Sequence, residues 1–111
     1  MLDWLEGVDA AITVVDKEYT ITYMNPKAMA TFQGYGGRAL LGKSLMECHN
    51  ERSSELLKKI METGIPHTYT IEKGGKKKII HQARWEKDGE IGGLVEISIE
   101  IPWEIEHFKR D

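Results

Sequence analysis

The chain has 111 residues, enough for one compact domain with one core and too few for a second. Hydrophobic residues make up 41 % and charged residues 30 %, which excludes the low-hydrophobicity signature of a disordered chain. Fifteen Lys and Arg against eighteen Asp and Glu give a net charge of -3, so the cationic surplus of a nucleic-acid binder is missing.

A single cysteine, Cys48, excludes an internal disulfide and cannot by itself build a Cys-type zinc site, which fits a reducing cytoplasm. No apolar run approaches the roughly 18 residues of a membrane span, and Met1-Leu2-Asp3-Trp4 lacks the charged start of a secretory signal. The expectation is a cytoplasmic domain that binds neither nucleic acid nor membrane.

The first ten residues place Met1, Leu2, Trp4, Leu5 and Val8 on one side of a short amphipathic helix. Such a helix is unstable alone, so its apolar side should dock. AITVVD and YTITYMN alternate and are separated by the polar turn Asp16-Lys17-Glu18, which predicts a hairpin. Asn25 then caps a helix whose first position is Pro26, where the missing N-H costs nothing. GYGG ends that helix, and RALLGKSLMEC predicts another helical turn or two around Gly42. Asn50 is placed to cap a longer helix from Glu51 to Thr63, with Leu56, Leu57, Ile60 and Met61 as its apolar stripe and Gly64 and Pro66 as its stop.

From His67 the period changes to two, with breaks at Gly74-Gly75 and Asp88-Gly89, so this part reads as an antiparallel meander. The run Lys76-Lys77-Lys78 reads as a solvated hairpin tip. His67, Tyr69, Ile71, Ile79, His81, Ala83, Trp85, Val95, Ile97 and Ile99 are all odd-numbered and are expected to share the core face. That sharing requires three-residue loops, Lys73-Gly74-Gly75 and Lys87-Asp88-Gly89. It pairs Glu72 with Lys76 and Glu86 with Glu90, sets His67 opposite His81, and sets His81 opposite Val95.

Three stretches in order carry a family resemblance. Ala11-Ile12-Thr13-Val14-Val15-Asp16 followed by Ile21-Thr22-Tyr23-Met24-Asn25 resembles the opening strands of a PAS domain. Leu40-Leu41-Gly42-Lys43-Ser44-Leu45 resembles one of its short helices, and the run from Asp88 through Gly89, Gly92 and Gly93 to Ile97 resembles its final hairpin. The resemblance covers nearly the whole chain. It implies an α+β fold: a five-stranded antiparallel sheet around a small cavity, with short helices covering one face and an N-terminal amphipathic helix. Residues 1–10 would be that helix, 11–102 the PAS domain, and 103–111 a C-terminal helical extension of about two turns. The family often ends its last strand with Asp-Ile-Thr; Glu100-Ile101-Pro102 stands there instead, and Pro102 has no N-H to give.

The chain has no P-loop, dinucleotide fingerprint, G-x-S-x-G or HExxH, so no enzyme is expected. Cys48 and His49 are adjacent and read as a helix junction. The light-sensing branch of the family carries a flavin-reactive cysteine soon after the glycine that Gly42 matches; here Lys43-Ser44-Leu45-Met46 stands there, so flavin is not expected. Haem-binding relatives often use a histidine on the longer helix, which has none between Glu51 and Thr63. That leaves His49, His67 and His81 as ligands for haem or a metal. The cavity-lining candidates are Tyr69, His81, Trp85, Val95, Ile97, His49 and His67. The resemblance implies a sensor that binds a small ligand, forms a homodimer through the N-terminal helix, and signals to an effector such as a histidine kinase or transcription regulator. The alternatives are a haem or metal redox or gas sensor, and a ligand-free dimerisation module whose own side chains fill the cavity.

Overall fold

The computed structural model describes residues 2–48 and 51–111. In chain order these form α1 (Asp3–Gly7), β1 (Ala11–Asp16), β2 (Ile21–Met24), α2 (Pro26–Thr31), three single-turn 3-10 helices (Gln33–Tyr35, Gly37–Leu40, Leu45–Cys48), α3 (Glu51–Thr63), β3 (His67–Lys73), β4 (Lys76–Lys87) and β5 (Glu90–Ile101). The strands make one five-stranded antiparallel sheet in the order β2-β1-β5-β4-β3, and the helices cover one of its faces. The fold is therefore α+β, as the resemblance implied. None of the described helices is long and apolar enough to cross a membrane.

Asn25 organises the first third of the chain. Its side chain is fully buried, at 0 % exposure. Oδ1 accepts from the backbone N of Ala28 at 2.9 Å, which caps α2, and from that of Ile12 at 3.0 Å. Nδ2 donates to the carbonyls of Ala10 at 2.8 Å and Leu5 at 3.1 Å. All four hydrogen-bonding positions of the amide are used, so its burial carries no unsatisfied group. The bond to Leu5 anchors α1. That helix is shorter than residues 1–10, and its apolar side docks only in part: Leu5 and Val8 are half-buried while Leu2 and Trp4 stay exposed, Trp4 at 63 %.

The helical turns expected around Gly42 are the single 3-10 turns Gly37–Leu40 and Leu45–Cys48, and the link between them at Gly42 is not helical. Gly42 donates its N-H to Ile21 O at 2.8 Å, Ile21 donates to Lys43 O at 2.9 Å, and Thr20 and Ser44 form a bridge. The chain there runs beside β2 and satisfies backbone groups that a helix would have turned inward. The cap expected at Asn50 lies outside the described residues; α3 itself spans Glu51–Thr63, with Leu57 and Ile60 buried.

The meander exists, but its register differs from the expected one. Both turns hold two residues, with Lys73 paired to Lys76 and Lys87 to Glu90. Their central residues all have positive φ: Gly74 60° and Gly75 76°, Asp88 54° and Gly89 78°. This is the Gly-Gly and Asp-Gly chemistry of type I′ hairpin turns, whose twist matches the strands. Consequently Glu72 faces Lys77, His67 faces Gln82, Tyr69 faces Ile80, Glu86 faces Ile91 and His81 faces Ile97. Odd residues of β3 share a face with even residues of β4.

A bulge between Trp85 and Glu86 then shifts β5 by one residue, so Trp85 pairs with Gly93, Ala83 with Val95 and Ile79 with Ile99. The backbone of Gly93 lies so close to Val15 O and Asp16 that any Cβ there would collide. The ring of Trp85 covers Gly92, and its Nε1 donates to Val15 O at 3.3 Å. The face toward the helices thus carries Ala11, Thr13 and Val15 of β1, Tyr69 and Ile71 of β3, Ile80 and Gln82 of β4, and Leu94, Glu96 and Ser98 of β5. The odd apolar set of β4 and β5 is on the outer face. The expectation failed because both faces of these strands are apolar in part, so alternation alone did not say which one meets the helices.

The buried core is Ala11, Val15, Ile21, Met24, Ala28, Leu40, Leu57, Ile60 and Leu94. Residues 103–111 form no helix, contrary to the expected extension, and Trp103, Ile105 and Phe108 are exposed. Pro102 removes one donor at the start, and so short a segment with no docked face does not sustain helix nucleation.

Candidate functional site

The inner face of the sheet does not pack fully against α2 and the 3-10 helices. Between them lies a cavity of about 330 Å³, at the lower end of the range for small-molecule sites. β2 supplies Ile21 and Met24 to its wall, the end of α2 Phe32, the second 3-10 helix Leu40, and β3 and β4 Ile71 and Ile80. Apart from Leu45, the remaining lining is polar or charged, with Thr13, Tyr69, Lys73, Lys78, Glu96 and Ser98 among it.

These polar groups are distributed along the sheet. Glu96 is half-buried opposite Thr13 and accepts a 2.8 Å hydrogen bond from Nε2 of the buried Gln82. Burial, and secondly the negative charge of Glu96, push the Tyr69 hydroxyl above the ordinary tyrosine pKa. At the other end, Lys78 is paired with Ile71 near the β3–β4 turn, so it is not part of a solvated tip. Lys73 Nζ lies 5.7 Å from the ring centroid of the exposed Tyr35, a cation–π contact across the rim.

The expected site residues separate. Tyr69 lines the cavity. His67 stacks on Tyr69 with ring centroids 4.8 Å apart, beside the cavity and outside its lining, and its Nδ1 is buried without a hydrogen-bond partner. His81 is on the opposite face, where its Nδ1 and the Oγ1 of the exposed Thr68 share a 2.7 Å hydrogen bond. Trp85 and Ile97 are also on that face. Val95, on the same strand, borders only a separate hollow of about 10 Å³, room for roughly one water. His49 lies outside the described residues.

Lys73, Lys78, Glu96, Ser98 and Thr13 were not anticipated. The expected register turns the even residues of β4 and β5 away from the core; the two-residue Gly74-Gly75 turn is the signal that brings Lys78 inward, and Glu96 and Ser98 follow only because the bulge at Gly92 restores even-with-even pairing. Among the described residues, no histidine lines the cavity and no group of three His, Cys, Asp or Glu is placed to hold a metal. The described residues therefore bring no histidine to the cavity as a haem ligand, and His49 is not among them.

No curated protein sequence matches the chain. Solved structures do match its fold. The PAS domain of BvgS from Bordetella pertussis superposes with a TM-score of 0.69 at 21 % identity, covering 90 % of this chain and 82 % of that one. The Aer2 receptor of Vibrio cholerae, described as a dual PAS-haem oxygen sensor, gives 0.66 at 20 % identity over 84 % and 95 %. The PAS domain of the histidine kinase ThkA gives 0.67 at 20 % identity over 81 % and 97 %. The family model described as PAS fold matches residues 5–102, nearly the whole of the strand and helix order traced above, and the chain belongs to the PAS-fold family.

Proposed function

We propose that the chain is a non-catalytic sensor and signal-transduction domain that takes a small molecule into the cavity beneath its sheet. The observation that carries this reading is the cavity itself: a core filled by its own side chains would leave no space of about 330 Å³ with charged groups in its walls. The effector is a linked or separate protein such as a histidine kinase or transcription regulator, in keeping with the kinase and receptor proteins that hold similar folds. The single cysteine suits work in a reducing cytoplasm. Haem sensing, the property described for Aer2, is not carried over, because the histidines available for it among the described residues are off the cavity lining.

Native mass spectrometry of the protein purified without denaturation tests the reading. A non-covalent small-molecule adduct is expected, and a protein bare at every preparation contradicts it.

A homodimer is proposed alongside this. The outer sheet face carries Ile12, Val14, Ile79, Ala83, Val95 and Ile97, all half-exposed, and Ile99, which is exposed. Contiguous apolar surface of this kind marks an interaction site, and a second copy presenting the same face satisfies it with closed symmetry.

A further inference from the structure

The charges around the cavity lack ion-pair partners among the described residues, in a pattern that selects a guest. Glu96 is half-buried and shares the cavity wall with Met24, Phe32, Leu45 and Ile80; it has one hydrogen bond, from Gln82. A carboxylate in apolar surroundings calls for a cation or further donors. At the opposite end, neither Lys78 nor Lys73 is in an ion pair with any of the described residues. The nearest acid to Lys78 across the sheet, Glu100, is paired instead with Lys76 at 3.6 Å.

The separation of the two ends follows from the strand. Lys78 is opposite Glu100, and Glu96 lies four residues back along β5 on the same face, about 13 Å at the rise of a strand. Between them the wall is apolar at Ile80 and Ile71 and carries no charge, with the Ser98 hydroxyl opposite Ile80. An ammonium near Glu96 and a carboxylate near the two lysines, joined by an apolar body, would complete both ends.

We propose that the guest is a small amphipathic zwitterion, its amino group held by Glu96 with Ser98 and Thr13, and its carboxylate held by Lys78 and Lys73. The proposal rests on the ligand-binding reading above and narrows it to one chemical class.

The test uses three probes of one chain length, 8-aminooctanoate, octanoate and octylamine, titrated calorimetrically into the intact wild-type protein. 8-Aminooctanoate is expected to bind about tenfold tighter than either of the others, since each lost charge-assisted contact is worth 1.5–3 kcal/mol in general and about 1.4 kcal/mol is tenfold. Glu96→Gln should weaken 8-aminooctanoate by a similar factor and leave octanoate unchanged, while Lys78→Met should weaken octanoate and leave octylamine unchanged. The wild-type series decides even where a variant fails to fold. Octanoate or octylamine binding as tightly as 8-aminooctanoate overturns the proposal, and so does binding of none of the three. Loss of all three together with a bare protein in native mass spectrometry overturns the ligand-binding reading as well; loss of all three with an adduct still present overturns the class alone.

Discussion

At the scale of single residues, Asn25 shows how much one buried amide can hold. It joins α1, β1 and α2 through four hydrogen bonds to backbone groups that would otherwise be unpaired. Asn25→Ala strips a helix cap and leaves buried donors and acceptors without partners, a loss of about 2–4 kcal/mol. Urea denaturation should show this as a lower midpoint at unchanged slope. Asn25→Asp is expected to do no better, because it sets a carboxylate oxygen against the carbonyls of Leu5 and Ala10. Tyr23 makes the second tie to α1, donating its hydroxyl to Glu6. That bond first, then burial and the Glu6 charge, pushes its pKa up to about 12. The folded pKa is raised, so the contribution of this contact is complete below the ordinary tyrosine value and is lost as pH rises through about 12. In an ultraviolet titration of the folded protein, Glu6→Gln should bring one late-titrating tyrosine back toward the ordinary value; an unchanged curve contradicts the contact.

At the scale of elements, α3 is fastened to the sheet at its last turn. Arg84 Nη1 donates to Met61 O at 3.0 Å and Glu62 O at 3.3 Å, while Nη2 pairs with Glu86 at 2.9 Å. A cation on these terminal carbonyls complements the negative end of the helix dipole and satisfies acceptors the helix cannot. Gly64 beside it has φ 74°, a left-handed conformation that favours glycine, and a Cβ there would also press on the guanidinium. Arg84→Met should cost about 1–3 kcal/mol, and hydrogen exchange should locate the loss in the last turn of α3, with β4–β5 amides protected as before. The helices and hairpins of the fold were legible because their punctuation is local: Asn25-Pro26, Gly64 with Pro66, Gly74-Gly75, Asp88-Gly89. The register was not, since Ile79, His81, Ala83, Val95 and Ile97 look like a core face and are in fact the outer one. What decides between the faces is the bulge at Gly92-Gly93 and the docking of Leu57 and Ile60, neither of which periodicity reports. Most of the candidate site was lost with the register. Tyr69 reached the cavity because β3 alone kept the expected parity, whereas Glu96 and Lys78 moved inward with the even residues of their strands.

At the scale of the whole molecule, one sheet separates two surfaces to which the proposed function gives different tasks. The inner face borders the cavity under α2 and the 3-10 helices, and the outer face carries the apolar strip proposed to meet a second copy. On that proposal, a change of guest would alter the packing behind the strands whose other side would meet the partner, since β4 and β5 belong to both surfaces. The two tasks should therefore separate by face when a bulky side chain is placed on one or the other. Native mass spectrometry of Ile80→Trp and Ile97→Trp, reading adduct and stoichiometry together, tests this most directly. The account predicts that Ile80→Trp fills the cavity and loses the small-molecule adduct while remaining dimeric, and that Ile97→Trp keeps the adduct and falls to monomer. An adduct retained in Ile80→Trp, or lost in Ile97→Trp, would contradict it.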